Sequence, residues 1–298
     1  MSGNKNLVGT AAAIFISVIW GLSFVAARVV LVTLSPLTLA TLRFMIASLV
    51  FLPILVKESV NGFRPGRRDL AELVLLGLMS ITIYFWLQYT GVKYAGAGVS
   101  ALLVVGLIPI MTGLASRLIL REKFTLGKAL GIVLGLSGIA LITLPNLILG
   151  QTDLFFYLGV ASLLSNAVFF SLYSTLSRRL MGRIGRPLTV TAYTTVLGTL
   201  ALIPLSLTSD WSQAMNLQTG QGISILYLAL ICSCVGYFMW NFALSRLEAV
   251  KAAVWLYIEP VAAFIGEALI FNLMPTPLTL TGGGAIILGA LITSRSRK

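Results

Sequence analysis

Long apolar stretches follow one another along the whole chain, near 7–32, 38–56, 70–90, 94–118, 126–147, 155–177, 188–207, 222–244, 249–272 and 278–294. About 20 apolar residues in a helix cross the hydrocarbon core of a bilayer, at about 1.5 Å of rise per residue. A succession of such runs leaves little besides a bundle of membrane-spanning helices. Composition agrees: 58% of the 298 residues are hydrophobic and 10% charged, where a soluble domain carries about 25% charge. The expected fold class is all-α integral membrane, with ten transmembrane helices joined by short connections. Those connections hold turn formers such as Ser35-Pro36, Asn61-Gly62, Pro145-Asn146, Gly185-Arg186-Pro187 and Pro275-Thr276-Pro277. The head Met1–Asn6 leads straight into the first span, which reads as a retained anchor rather than a cleavable signal.

An internal echo organises the spans. Pro36, Pro53 and Pro109 recur as Pro187, Pro204 and Pro260, each 151 residues on. Gly131 and Gly138 recur as Gly282 and Gly289, and Leu118-Ile119 as Leu269-Ile270. The chain therefore divides into residues 1–150 and 151–298, five spans each. An odd number of spans per repeat makes the second enter the membrane in the opposite sense to the first. Inverted repeats of this kind belong to secondary transporters, whose substrates sit between the repeats near the midplane.

Charge placement sets the orientation. Of the 21 Lys and Arg, all but Arg28, Arg43 and Lys93 fall on one side if the N-terminus is cytoplasmic, which predicts that both termini lie inside. The net charge of +12 then reports topology and predicts no nucleic-acid partner. Basic inner segments such as Arg117 to Lys128 are expected to meet anionic lipid headgroups.

Several chemistries are excluded or unsupported. The chain has no His, which removes imidazole catalysis, His proton relays and the usual zinc sites. An intramembrane hydrolase needs His, a Ser/Lys pair or paired aspartates at depth, and Asp153 and Asp210 both fall in outer loops. No nucleotide-binding loop occurs. Cys232 and Cys234 read as packing residues. Neither a cofactor nor a metal is expected, and the chain is read as a non-enzyme.

The ninth run is the exception among the spans. Glu259 lies about 15 Å into it, near the midplane, beside Pro260, and Glu267 lies farther out. An acid at the bilayer centre costs about 2.5–3.5 kcal/mol, so it usually faces a cavity or a partner. Glu259 could bind a substrate ammonium, carry a coupling proton or pair structurally. Glu267 is matched in depth with Arg28 and Arg43, as an outer gate or a structural charge pair. Pro109 and Pro260 should bend their helices.

Aromatic and amide side chains complete the candidate site. They are Trp20 and Ser23 in the first span, Tyr84 and Gln88 in the third, Asn166 and Tyr173 in the sixth, Tyr237, Trp240 and Asn241 in the eighth, and Trp255 and Tyr257 in the ninth. Tyr84/Gln88 and Tyr237/Asn241 are four apart and share a helix face. An apolar cavity with a few placed amides and hydroxyls suits a small amphipathic solute. Trp86, Tyr89 and Tyr94 read instead as an interfacial belt. Gly127, Gly131 and Gly135 form a small-residue face for close helix packing, as do Gly282 to Gly284. Packing within one bundle is favoured over a dimer interface, and no obligate protein partner is evident.

Taken together these residues resemble the drug/metabolite transporter superfamily, in its EamA-type ten-span branch, and within that the YddG-type amino-acid exporters. Trp20-Gly21, Pro36, Arg43, Pro109, Glu122 and Gly131/Gly138 carry the likeness in the first half, and Pro187, Pro260, Gly282 and Gly289 in the second. Leu273 stands where Glu122 predicts an acid, and Phe169-Phe170 stand near a usual Trp position. The resemblance implies export of small metabolites by alternating access, with aromatic and other neutral amino acids foremost, from a bacterial inner membrane. A broad exporter of cationic drugs or quaternary amines is the alternative. A phosphate-ester carrier ranks lower, because no cation was evident at the midplane.

Overall fold

The computed structural model describes residues 2–148, 154–271 and 277–295, and among them every regular element is helical. In chain order these are α1 (Ser2–Leu31), α2 (Pro36–Val60), α3 (Arg67–Tyr94), α4 (Leu103–Ile119), α5 (Leu126–Ile148), α6 (Leu154–Ile184), α7 (Pro187–Ser206) and α8 (Thr219–Leu244). The helix α9 starts as Ala249–Ala253, tightens over Val254–Tyr257 and continues as Ile258–Phe271; α10 is Pro277–Arg295. Six of these, α1 (from Asn6), α2, α3, α6, α7 and α8, are long and apolar enough to cross a membrane, and shorter apolar helices include Leu103–Ile119, Leu126–Gly138 and Leu280–Thr293. Large apolar side chains on these helices, such as Leu49, Leu130 and Leu200, are exposed, as suits helices whose solvent is hydrocarbon rather than water. The chain is a multi-pass membrane protein.

Local chemistry sets the helix ends. Ser35 caps α2 by accepting the Thr38 amide at 3.1 Å, and Pro36 occupies the first turn, where its missing N–H costs nothing. Pro187 starts α7 in the same way, just after Gly185 ends α6 at φ 68°. Pro109 and Pro260 each follow a departure from α geometry: a widened turn over Ala101–Val105 and the tight turn over Val254–Tyr257. A proline supplies no N–H to the carbonyl four residues back and crowds it, so the upstream turn is where the helix adjusts.

The chain turns back between α3 and α4, and both pack on α6. Asn166 Nδ2 donates to the Tyr84 carbonyl at 2.7 Å and Ser171 Oγ to that of Ile108 at 3.1 Å, so both carbonyls lie within about two turns along α6. A straight helix would part them by about 36 Å, so the chain reverses between them.

The main packings join the first half to the second: α1 to α8 and α9, α2 to α7, α3 to α6 and α7, α4 to α6, and α5 to α10. At one face the same division is bridged by charge. Arg183 binds Asp69 at 2.6 Å and Glu72 at 2.9 Å, Arg186 binds Glu58 at 2.6 Å, and Arg178 binds Glu122 at 2.9 Å. Lys128 in α5 pairs with Glu248, with only 1% and 11% of their side chains exposed. Lys128, expected at the headgroups, is instead sealed inside the protein.

Glycine sets the tightest approach. The backbones of α5 and α10 meet at Gly131 and Gly289, and a Cβ on Gly289 would lie 2.5 Å from the Gly131 carbonyl and 2.7 Å from the Gly135 amide nitrogen. Backbone cannot step aside as a side-chain tip can. Gly289→Ala should therefore cost about 1–3 kcal/mol through overpacking, seen as a lower thermal unfolding midpoint in detergent. An unchanged midpoint would show that the pair can separate freely.

Candidate functional site: an aromatic cavity with one cation and one anion

A cavity between the halves is lined by Trp20, Ser23 and Phe24 of α1, Arg43 of α2, Tyr84, Phe85 and Gln88 of α3, Ile108 of α4, Phe170 of α6, Tyr237 of α8, and Leu256 and Glu259 of α9. Its free volume is about 20 Å³, room for about one water. An organic solute enters only if the helices part.

Two glycines and two widened turns build the wall. Gly21 lets α1 lie against the backbone of Glu259, since a Cβ there would strike the Glu259 carbonyl. Gly236 clears space for the Trp20 ring, whose Nε1 donates to the Cys232 carbonyl at 2.9 Å. The turns over Leu78–Ile83 in α3 and Tyr227–Val235 in α8 are π-type, a departure common at functional sites. Tyr237 OH donates to the carbonyl of Ser80, inside the first of them, at 2.9 Å.

Trp20 packs on Phe170, Tyr237 and Trp240, with ring centroids 5.9, 5.5 and 5.7 Å away. Tyr84 packs on Phe170 at 5.1 Å and on Phe85 at 4.8 Å. Ring faces arranged this way offer apolar and π surface to a ligand.

The polar groups divide into two kinds. Ser23 Oγ is occupied by the Trp20 carbonyl at 2.6 Å. The Gln88 amide and the Glu259 carboxylate border the cavity, and neither has a hydrogen-bonding or ion-pairing partner among the described residues. Glu259 is only 7% exposed, so its charge would be poorly solvated there.

Arg43 is where the structure departs most from the sequence reading. It borders the same cavity, 2% exposed. Its Nε donates to Ser233 Oγ at 2.7 Å and Nη1 to Tyr89 OH at 2.9 Å, and the guanidinium lies 4.4 Å from the Phe85 ring centre. A cation does stand on the central cavity, against the expectation of none. Tyr89, expected in an interfacial belt, is buried as its support, whereas Trp86 and Tyr94 are exposed. No carboxylate pairs with Arg43 among the described residues. The side chain of Glu267 lies outside the described residues, and Arg28 is exposed in the last turn of α1.

The remaining predicted residues form a layer behind the wall. Asn241 Oδ1 accepts from Ser177 Oγ at 2.7 Å and from Tyr173 OH at 3.2 Å, while its Nδ2 donates to Thr191 Oγ1 at 2.8 Å. Trp240 Nε1 donates to Ser174 Oγ at 3.3 Å, and Tyr257 OH to the Gly106 carbonyl at 3.3 Å. Asn166 binds the Tyr84 backbone but leaves Oδ1 unpartnered, and Trp255 Nε1 is likewise buried without an acceptor among the described residues. None of Asn166, Tyr173, Trp240, Asn241, Trp255 and Tyr257 touches the open space in this conformation. Arg43, Phe85 and Phe170 on the wall were legible only in part: Arg43 as an intramembrane cation, Phe170 as a residue near a usual Trp position, and Phe85 as an undistinguished apolar residue.

A multi-pass helical bundle with a polar-studded cavity between its halves is the form of a membrane transporter. The chain belongs to the EamA-like transporter family, which it matches over residues 7–144 and 157–295. An uncharacterized transporter of Archaeoglobus fulgidus is 30% identical over 278 residues, covering 93% of this chain and 95% of the relative. The uncharacterized transporter YyaM of Bacillus subtilis is also 30% identical, covering 93% and 90%. A protein of Streptantibioticus cattleyicolor named "Probable terminal-alkyne amino-acid exporter" is 27% identical, covering 95% and 92%. A solved crystal structure with 19% identity superposes with a TM-score of 0.77 over 98% of this chain and 96% of the other, and so shares the fold.

Proposed function

We propose that this protein is a secondary exporter of small metabolites, aromatic and other neutral amino acids foremost, working by alternating access in a bacterial inner membrane. Ten spans in two inverted repeats, with both ends cytoplasmic, are the architecture we infer. The family match occurs twice, over 7–144 and 157–295, which supports the repeat. So do two contacts between residues 151 positions apart, Ser48 Oγ to Thr199 Oγ1 at 2.9 Å and Tyr257 OH to the Gly106 carbonyl. Equivalent residues of two repeats meet only at the axis relating them. The working unit is a monomer held by lipid.

One observation carries the substrate reading: Glu259 borders an aromatic-walled cavity with no partner among the described residues, so an ammonium group can be its counter-ion. The amino-acid exporter among the relatives agrees with this choice. Export requires the ion pairs of Arg178, Arg183, Arg186 and Lys128 to rearrange, because they fasten the face at which positive charge gathers.

Counterflow in proteoliposomes tests the proposal. Vesicles preloaded with unlabelled neutral amino acids should accumulate labelled phenylalanine or leucine transiently. No exchange with any labelled amino acid would sink this reading, and exchange confined to quaternary amines would replace it with the cationic-drug exporter.

A further inference from the structure

We propose that Arg43 and Glu259 are the two poles of a site for free α-amino-acid zwitterions: Arg43 takes the carboxylate, Glu259 takes the ammonium, and the substrate side chain lies against the rings of Trp20, Tyr84 and Phe170. The inference rests on the exporter reading above and narrows it to a substrate class.

The two charges share one cavity and do not pair with each other or with any other charged side chain among the described residues. Arg43 is held by neutral groups alone. Ser233 and Tyr89 occupy Nε and Nη1, which leaves Nη2 without a protein acceptor among the described residues. Phe85 stacks beneath the guanidinium at 4.4 Å and fixes its plane. The guanidinium is thus oriented yet uncompensated. Support by an acid would have neutralised it; support by two hydroxyls and a ring positions it and keeps its charge available.

Selectivity follows from the count of charges. A buried ion without a counter-ion is costly, and the cost is relieved only by an opposite charge in good geometry. An amine relieves Glu259 and leaves Arg43 bare. A carboxylic acid does the reverse. A zwitterion with adjacent charges relieves both in one event, and Gln88, whose amide is unpartnered on the same wall, can hydrogen-bond either group. Arg43 is therefore a specificity-determining residue rather than a gate residue.

The test uses the full-length protein in detergent and matched trios of ligands. Phenylalanine, phenethylamine and 3-phenylpropionate form one trio; leucine, isoamylamine and 4-methylvalerate form another. Binding is read as ligand-dependent thermal stabilisation. The expected result is that the amino acid of a trio binds about 30-fold or more tightly than either its amine or its acid. An amine that binds as well as its amino acid overturns the role of Arg43. An acid that does so overturns that of Glu259. Failure of every member of both trios overturns the amino-acid reading itself, which separates the two failures. As a second arm, Arg43→Gln should bring the amino-acid-to-amine affinity ratio to near 1 while affinity for the amine stays or rises. That ratio is measured within one variant, so lowered stability alone does not move it. Arg43→Lys, with charge but no planar fork, should keep part of the preference; a preference undiminished in Arg43→Gln would sink the proposal.

Discussion

Glu259→Gln is expected to lower the initial rate of amino-acid counterflow at least tenfold, with the protein still folded. The carboxylate lies on the cavity wall with no counter-ion among the described residues. A charge-assisted hydrogen bond to an ammonium contributes about 1.5–3 kcal/mol, or about 10–150-fold in affinity. The amide keeps the shape and loses the charge. It also relieves the desolvation of an isolated carboxylate, so thermal stability without substrate should hold or rise. Opposite movements of activity and stability separate a substrate-binding acid from a structural one. Counterflow at the wild-type rate from about pH 5.5 to 8 would remove Glu259 from both binding and proton coupling.

The second large effect is on stability. Lys128→Met should destabilise the protein by about 3 kcal/mol or more, because it strands Glu248 in a nearly closed site. Lys128 Nζ also donates to the Lys123 carbonyl at 2.6 Å, and among the described residues the other cation paired with Glu248 is Lys251, at 3.9 Å. Removing both members, as Lys128→Met with Glu248→Leu, should recover most of the loss, since the cost lies in the unpaired charge rather than in the pair. Thermal unfolding in detergent of the two single variants and the double variant makes this a complete cycle. Equal losses that simply add would mean that the two side chains do not interact across α5 and the turn before α9.

Much of this was legible in the sequence. The apolar runs, the proline echo and the Lys and Arg bias depend on local composition, and the six helices long and apolar enough to cross a membrane fall where runs do. The eleven aromatic, amide and hydroxyl candidates carry ring faces and polar atoms suited to an amphipathic solute, and polar atoms at membrane depth must in any case find partners. That rule holds equally for a ligand site and for packing. It therefore did not separate Tyr84 and Gln88, on the wall, from Tyr173 and Asn241, whose polar ends are satisfied by neighbouring helices. Asn241 spends its amide on Thr191 of α7 and its carbonyl on Ser177 and Tyr173 of α6, three residues at least 50 positions away. No local pattern announces such a network.

Arg43 shows the same limit in electrostatics. Sequence depth alone matched both Arg28 and Arg43 with Glu267, as an outer gate or a structural charge pair, and the Glu267 side chain lies outside the described residues. The structure turns Arg43 toward Ser233 and Tyr89 and onto the wall that holds Glu259. Depth is one coordinate, and the direction in which a side chain points around its helix is another, set by which helices pack beside it.

What the sequence by itself determined is the solvent of this protein, its helices and the presence of acids and a cation inside them, because burial in hydrocarbon and hydrogen-bonded backbone are demands each span meets alone. Only the tertiary structure decided which polar groups face one another and which face open space. Those choices belong to contacts between α1, α2, α3, α8 and α9, helices brought together from both halves of the chain, and a partner far away in sequence leaves no periodicity to read.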